Sequence, residues 1–113
     1  MAVYVSNLTV NAGTTFSQVF NLESTSSNAP TDLTGYSIEA QMRKHAGAKE
    51  PAAKFTSTIV SPAAGRIRVG LSTSDTAGLK PGRFVYDVLI TDSVGEVTRV
   101  VEGSVLVREG VTR

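Results

Sequence analysis

Hydrophobic and polar residues alternate with a period of two along most of this chain. The clearest example is YSIEAQMRK (36–44), in which every second residue is apolar or aromatic. Successive side chains of a strand point to opposite faces of a sheet, so this pattern predicts a strand with one buried face. The predicted inward-facing residues are Tyr36, Ile38, Ala40 and Met42, and the outward-facing residues are Ser37, Glu39, Gln41 and Arg43.

Further segments show the same pattern or a variant of it, and turn-forming residues separate them. About seven short strands at this spacing are typical of small β-sandwiches. We therefore predict an all-β sandwich that forms one domain over residues 1–113. The predicted strands are VYVSNLTV (3–10), TFSQVFNL (15–22), YSIEAQMRK (36–44), AKFTSTIV (53–60), GRIRVGL (65–71), RFVYDVLIT (83–91) and EVTRVVEGSVLV (96–107).

The segments between these strands are rich in turn and loop residues. Two polar stretches, 23–35 and 45–52, predict surface loops. SPAAG (61–65) and DSVG (92–95) predict tight hairpin connections, the second with Gly95 at a positive φ.

One segment, STSDTAGLKPG (72–82), predicts a helical turn. Ser72 or Ser74 can cap a short helix over Asp75–Leu79, because a serine hydroxyl accepts hydrogen bonds from the first free backbone N–H groups. The following Pro81 then ends the helix.

The composition excludes several classes of protein and site. The formal net charge is +1, whereas nucleic-acid-binding proteins normally carry a basic stripe or patch. The absence of cysteine excludes disulfides and thiolate chemistry. MAVYVSNLTV has no signal-peptide pattern, and no window approaches the ~18 apolar residues of a membrane span. We expect neither membrane insertion nor specific nucleic-acid binding.

Asp87 lies in the middle of the apolar run RFVYDVLITD (83–92), on the face opposite Tyr86 and Val88. If the hairpin loop has three residues, Arg99 lies diagonally from Asp87 and can pair with it. A four-residue loop would instead put Arg99 on the face of Tyr86 and Val88. General acid–base catalysis needs a second positioned group, and none is near in the sequence. We interpret Asp87 as a structural residue on the solvent face.

The remaining candidates for chemistry do not form a site. His45 is the only histidine, and without cysteines it cannot build a standard zinc site or, without a partner, a catalytic triad. The aspartates are widely spaced and begin no calcium-loop motif, and the glycines form no phosphate-binding motif. We therefore expect no enzyme activity, no metal and no cofactor.

Four basic residues, Arg43, Lys44, Arg66 and Arg68, are a candidate patch if they lie on neighbouring solvent faces. No aromatic residues are interleaved with them, so base stacking is not supported. The scarcity of aromatic residues also weakens a sugar-binding interpretation. A solvated face, or one paired with a protein neighbour, is the favoured interpretation.

The stretch TDLTGYSIEAQMRK (31–44) leads from a polar loop through DLTGY into an alternating strand that ends in RK. It resembles the immunoglobulin-like domains of bacteriophage virion proteins, of which the baseplate upper protein N-terminal domain is the nearest named family. GRIRVGLS (65–72) and LKPGRFVYDVLITDSVGEVTRVVEGSVLV (79–107) are similar to that group as well. The resemblance runs from about Val10 to the C-terminus. It implies a single immunoglobulin-like sandwich with a structural or adaptor role and no catalysis.

We therefore expect a bacteriophage virion structural protein, made in the host cytoplasm, that docks to other virion structural proteins. The expected location is the tail, the baseplate, a fibre attachment or the capsid surface, with many copies per particle and with homo-oligomers as one arrangement. The alternative is a carbohydrate-binding module for host-surface attachment. We expect contacts in the loops 24–30 and 45–51 and in the terminal arms 1–5 and 108–113. The predicted contact residues are Ser24, Thr25, Ser26, Ser27, Asn28, His45, Lys49, Glu50, Arg108 and Arg113.

Overall fold

The structure is a computed structural model that describes residues 4–22 and 32–111. Within these ranges, nine β-strands form two β-sheets, and one short helix connects two of the strands. The elements are β1 (Tyr4–Val5), β2 (Leu8–Asn11), β3 (Phe16–Asn21), β4 (Ser37–Arg43), β5 (Ala53–Lys54), β6 (Thr56–Ser61), β7 (Arg66–Leu71), α1 (Thr73–Ala77), β8 (Gly82–Thr91) and β9 (Val97–Arg108).

The larger sheet contains six strands in the order β1-β9-β8-β4-β5, with β2 also paired to β9. The smaller sheet has the order β3-β7-β6. Neighbouring strands are antiparallel, except that β1 and β2 run parallel to β9. The orders β9-β8-β4 and β3-β7-β6 are those of the two sheets of an immunoglobulin-like sandwich. The predicted all-β sandwich is therefore confirmed.

The core lies between the sheets and is formed by the apolar residues of the alternating pattern. Met42, Ile67 and Val69 are fully buried, whereas Arg66 and Arg68, which alternate with them on β7, are exposed. The buried and exposed faces predicted for 36–44 and 65–71 are thus confirmed. Full burial of a valine or isoleucine side chain contributes about 1.5–3 kcal/mol.

The strand predicted over 53–60 is divided at Phe55. The two residues before Phe55 form β5, which pairs with β4 in the larger sheet, and the residues after it form β6, which pairs with β7 in the smaller sheet. Phe55 is buried between the sheets, and its N–H donates to the Ala40 carbonyl at 3.0 Å. The prediction of one strand is wrong here. Inward- and outward-facing side chains alternate without a break through Phe55, but the strand to which the backbone is hydrogen-bonded changes from β4 to β7.

The predicted opening strand is also divided, at Ser6 and Asn7. The Ser6 carbonyl turns towards the core, where it accepts a hydrogen bond from the Tyr86 hydroxyl at 2.6 Å. This approach needs a glycine at position 103, since a side-chain Cβ there would overlap the Ser6 carbonyl oxygen. Asn7 is held by Ser104, whose N–H and hydroxyl donate to its Oδ1 at 3.1 and 3.0 Å. Two divided strands account for nine strands where about seven were predicted.

The hairpin between β8 and β9 has a three-residue loop, 93–95. The N–H of Asp92 donates to the Glu96 carbonyl at 3.0 Å and closes the loop. Gly95 has φ +92°, as the third residue of such a loop requires. The aspartate side chain accepts from the N–H groups of Val94 and Glu96 and stabilises the turn.

One residue of β9, Val100, has no partner on β8. Arg99 is paired with Leu89 and Val101 with Val88, so Val100 forms a β-bulge. Both Val100 and Val101 are fully buried. Two consecutive residues of β9 therefore point into the core, and Glu102, the residue after them, lies on the outer face.

The helix α1 begins two residues earlier than predicted. Ser72 is its N-cap, and the Asp75 carboxylate and N–H complete a capping box with it. Thr76, which is fully buried, donates its hydroxyl to the Thr14 carbonyl at 2.7 Å and accepts from the Gly13 N–H at 3.1 Å. The helix thus fixes the turn between β2 and β3.

The DLTG motif is a turn that leads into β4. Asp32 accepts hydrogen bonds from the hydroxyl of Thr34 at 2.6 Å and from its N–H at 3.0 Å. Leu33 is buried in the core, and its N–H donates to the Pro62 carbonyl at 2.8 Å. Both hydrogen bonds favour the charged carboxylate and lower the pKa of Asp32 below its ordinary value of 3.8. The bond from the Thr34 hydroxyl has the larger effect, and the bond from the Thr34 N–H has the smaller one.

Replacement of Gly103→Ala should lower the free energy of unfolding by about 1–3 kcal/mol, because the new methyl group collides with the Ser6 backbone. Chemical denaturation measures the change. Gly78→Ala is the matched control, since that glycine has φ −84° and the nearest atom to its Cβ would be 3.9 Å away. Equal stability of the two variants would contradict the close approach of Ser6 to β9.

Replacement of Thr34→Val should raise the pKa of Asp32, because it removes the hydroxyl donor. Carboxyl NMR titration measures this change, and Thr56→Val on β6 is the control. Since the folded-state pKa of Asp32 is lowered, its contribution to stability is present above the unfolded-state pKa and is lost as pH falls through the folded-state pKa. The stability difference between wild type and Thr34→Val should therefore shrink in acid. An unchanged Asp32 titration in Thr34→Val would contradict this account.

Candidate functional site

The outer face of the larger sheet carries a groove of about 600 Å³. A second cavity formed by the described residues, which Ala12 and Leu79 help to line, is smaller, at about 330 Å³. We term the larger one the sheet groove. Its lining residues are Val5, Glu39, Gln41, Arg43, Ala46, Val85, Tyr86, Asp87, Leu89, Arg99, Glu102 and Gly103.

Strand register brings these residues together from distant parts of the chain. Partner residues on neighbouring strands point to the same face of a sheet. One row across the groove therefore consists of Gln41, Asp87, Glu102 and Val5. The next row consists of Glu39, Leu89 and Arg99.

Asp87 is on the solvent face and pairs with Arg99, as predicted for a three-residue hairpin loop. The Arg99 Nε atom lies 3.2 Å from Asp87 Oδ2, and Arg99 Nη1 lies 4.0 Å from Glu102 Oε2. The side chains of Arg99 and Asp87 are 53% and 37% exposed, so solvent screens the pair. Such a pair stabilises a fold by roughly 0.2–1 kcal/mol.

A second set of hydrogen bonds runs along β4. Gln41 donates to Glu39 Oε1 at 2.9 Å, and Arg43 Nη2 donates to Gln41 Oε1 at 3.0 Å. Arg43 Nη1 also donates to the Ala48 carbonyl at 3.0 Å. This last bond joins the loop after β4 to the sheet, and Ala46 of that loop forms one wall of the groove.

Tyr86 reaches the groove from beneath, at the position paired with Gly103. Its side chain points into the core, and its hydroxyl donates to the Ser6 carbonyl. Burial raises the pKa of Tyr86, and the hydrogen bond to Ser6 opposes the rise. The phenol therefore serves as a protonated donor that secures the N-terminal strands.

The groove offers hydrogen-bonding groups of both charges beside apolar surface. Its arginines are hydrogen-bonded within the groove, and Arg99 lies between two carboxylates. Within residues 4–22 and 32–111, no three histidine, cysteine, aspartate or glutamate side chains are grouped so that they can hold a metal ion. In the same ranges, no helix has the length and apolar character needed to cross a membrane.

The predicted contact residues lie partly beside the groove and partly away from it. His45, Lys49 and Glu50 are exposed on the loop after β4, whose Ala46 lines the groove. Arg108 is exposed at the end of β9, away from the lining residues. The remaining predicted contact residues, Ser24, Thr25, Ser26, Ser27, Asn28 and Arg113, lie outside the described residues.

Two sequence-based interpretations need correction. Tyr4, Val5 and Arg108 do not lie in free terminal arms, because all three are in strands paired along β9 or within it; contact with a partner at these positions stays a prediction. The four basic residues do not form one patch. Arg43 is on the outer face of the larger sheet, whereas Arg66 and Arg68 are on β7 of the smaller sheet.

Sequence reasoning placed Glu39, Gln41 and Asp87 correctly on solvent faces but did not combine them into a site. Glu102 was not identified at all. Alternation shows which face a residue occupies, but only the pairing of β4, β8 and β9 shows which residues are neighbours. For Glu102, the consecutive valines before it are the available sequence signal of a bulge.

No family model and no curated protein matches this chain. Among solved structures, a mutant of the SrpA adhesin from Streptococcus sanguinis is similar, with a TM-score of 0.50 and 16% identity over 96% of this chain and 56% of that chain. An internalin-like protein of Listeria monocytogenes gives a TM-score of 0.46 and 12% identity over 96% of this chain and 28% of that chain. This chain thus spans little more than half of the first structure and less of the second. The likeness to the adhesin concerns the fold alone.

A double-mutant cycle of Asp87→Ala and Arg99→Ala should give a coupling free energy of about 0.2–1 kcal/mol, because both side chains are partly exposed. Denaturant unfolding measures it, and about 1 M salt should weaken it. Arg99→Ala combined with Lys80→Ala is the control pair and should be additive. Full additivity of Asp87→Ala and Arg99→Ala would contradict the ion pair.

Proposed function

We propose that this chain is a non-catalytic docking module of a bacteriophage virion that binds another virion structural protein through the sheet groove. Many copies decorate one particle, since virions repeat small interfaces. In this role the protein catalyses no reaction, and the sheet groove is the surface that binds the partner protein.

The observation that carries this proposal is the composition of the groove. Val5 is 74% exposed and Val85 is 39% exposed, and both line the groove together with Arg43 and Arg99. Protein interfaces combine apolar surface with arginine in this way. The groove is also built on strands, so its side chains are held in place before a partner binds.

Pairing among the charged groups supports a binding role rather than a catalytic one. A general base needs access to a substrate proton, and Asp87 is already engaged by Arg99 at 3.2 Å. An arginine between two carboxylates can exchange one of them for a carboxylate on the partner. Recognition of an acidic side chain therefore needs only a rearrangement of existing pairs.

The assignment to a phage particle is supported by the sequence resemblance to immunoglobulin-like domains of virion proteins. The DLTG turn behind that resemblance leads directly into β4, which carries three of the groove residues. Most of the residues that line the groove thus lie in the stretches 31–44 and 79–107, which resemble virion proteins.

A carbohydrate-binding module is the second candidate, because the groove presents several hydrogen-bonding side chains together. Its weakness concerns stacking: among the described residues, Tyr86 is the only aromatic residue that lines the groove, and it is 4% exposed. Binding of the isolated protein to a glycan array, abolished by Arg99→Glu, would favour this candidate over docking.

Particles should lose the protein when Arg99→Glu replaces wild type, because the reversed charge repels the carboxylates at the centre of the groove and an acidic partner. We expect at least about a tenfold drop in the amount per particle, as for loss of an interfacial charge pair. Mass spectrometry of purified heads and tails, analysed separately, measures it.

Lys80→Glu is the matched control, because Lys80 is exposed but does not line the groove. It should be incorporated normally. Absence of the wild-type chain from heads and tails would contradict the virion role. Normal incorporation of a folded Arg99→Glu variant into particles would contradict the proposal that the sheet groove binds the partner protein.

A further inference from the structure

Three of the four sheet edges in the described part of the chain are interrupted. The edge formed by β1 and β2 is broken between the two strands, β5 has only two residues, and β6 contains a bulge at Val60. Such interruptions prevent strands of other chains from pairing with an edge. The fourth edge, β3, is a regular strand of six residues without proline or charge.

The register of β3 shows which of its backbone groups face outwards. The N–H of Leu22 donates to the Gly65 carbonyl at 2.8 Å, in continuation of the β3–β7 register. Hydrogen-bonded pairs alternate along an antiparallel ladder, so Gln18 and Phe20 also bond to β7. The N–H and C=O groups of Val19 and of its neighbours two residues away are therefore directed away from β7.

A side-chain hydrogen bond agrees with this register. Gln18 Nε2 donates to the Val19 carbonyl at 3.1 Å, which places that carbonyl on the side away from β7. The amide shields one acceptor at the edge. Within residues 4–22 and 32–111, the outward N–H groups of Ser17, Val19 and Asn21 donate to no other group. The edge is thus able to accept a further strand.

We infer that a second copy of this chain adds its β3 antiparallel to this edge, with a two-fold axis through Val19. In that register Val19 faces Val19 of the second copy, and Ser17 faces Asn21. The outward groups of one copy then meet the outward groups of the other, in three pairs that exchange two hydrogen bonds each. The two three-stranded sheets become one continuous six-stranded sheet.

Self-complementarity identifies the second copy as the occupant. The facing residues Ser17, Val19 and Asn21 carry no charge, so no like charges meet across the axis. Val19 is 37% exposed and would be covered by its own counterpart. On the inner face Phe20, which is half-buried, would lie beside Gln18 of the other copy. This inference does not rest on the proposed function, because the sheet groove is on the other sheet.

Complementary charges at position 19 test the inference on the full-length chain. Val19→Lys and Val19→Glu each place like charges opposite one another in the dimer, whereas a mixture of the two places opposite charges there. Wild type should be a dimer by sedimentation equilibrium. Each variant alone should dimerise at least about tenfold more weakly, which corresponds to about 1.4 kcal/mol, and the equimolar mixture should recover the dimer.

Val60→Lys is the matched control on the bulged β6 edge and should leave dimerisation unchanged; Val60 is 40% exposed. Amide hydrogen exchange on wild type provides a measurement that needs no variant. The N–H groups of Ser17, Val19 and Asn21 should exchange more slowly at high protein concentration than at low concentration. A monomeric wild type, undiminished dimerisation of folded Val19→Lys, or a monomeric mixture would each overturn the inference.

Discussion

The bulge at Val100 determines how the two longest strands present their side chains. If β9 continued from Arg99 without it, Val101 would point to solvent, and Glu102 would point into the core opposite Tyr86. Burial of an unpaired carboxylate costs several kcal/mol, so the chain inserts one residue instead. The bulge keeps both valines in the core and returns Glu102 to the outer face beside Asp87 and Arg99.

The same bulge sets the position of the N-terminal strands. It places Gly103 opposite Tyr86, where the missing side chain leaves room for the Ser6 carbonyl. The Tyr86 hydroxyl then donates a hydrogen bond to this part-buried carbonyl. A single inserted residue therefore links the groove on the outside of the sheet to the attachment of β1 and β2 along its edge.

The sequence was sufficient for the faces of most strands and insufficient for their partners. Alternation depends only on the local chain, so Met42 and Ile67 could be placed in the core and Gln41 and Asp87 on the surface. The division at Phe55 leaves that alternation intact and changes only the partner strand, which is a non-local choice. The Asp87–Arg99 pair was predictable because one short loop sets its register. The row of Gln41, Asp87 and Glu102 required two independent pairings and a bulge.

The two surfaces that we propose for binding make different demands on the fold. The sheet groove depends on side chains from different strands being held next to one another. The pairing of β4, β8 and β9 in the middle of the larger sheet holds them there. An edge needs free backbone groups, and the smaller sheet supplies them because the N-terminal strands pair with β9 and leave β3 at its margin. The close approach of Ser6 to Gly103 and the hydrogen bond from Tyr86 hold these strands on β9, away from β3. Two copies joined along β3 would then keep both grooves on their outer faces, available to a second protein.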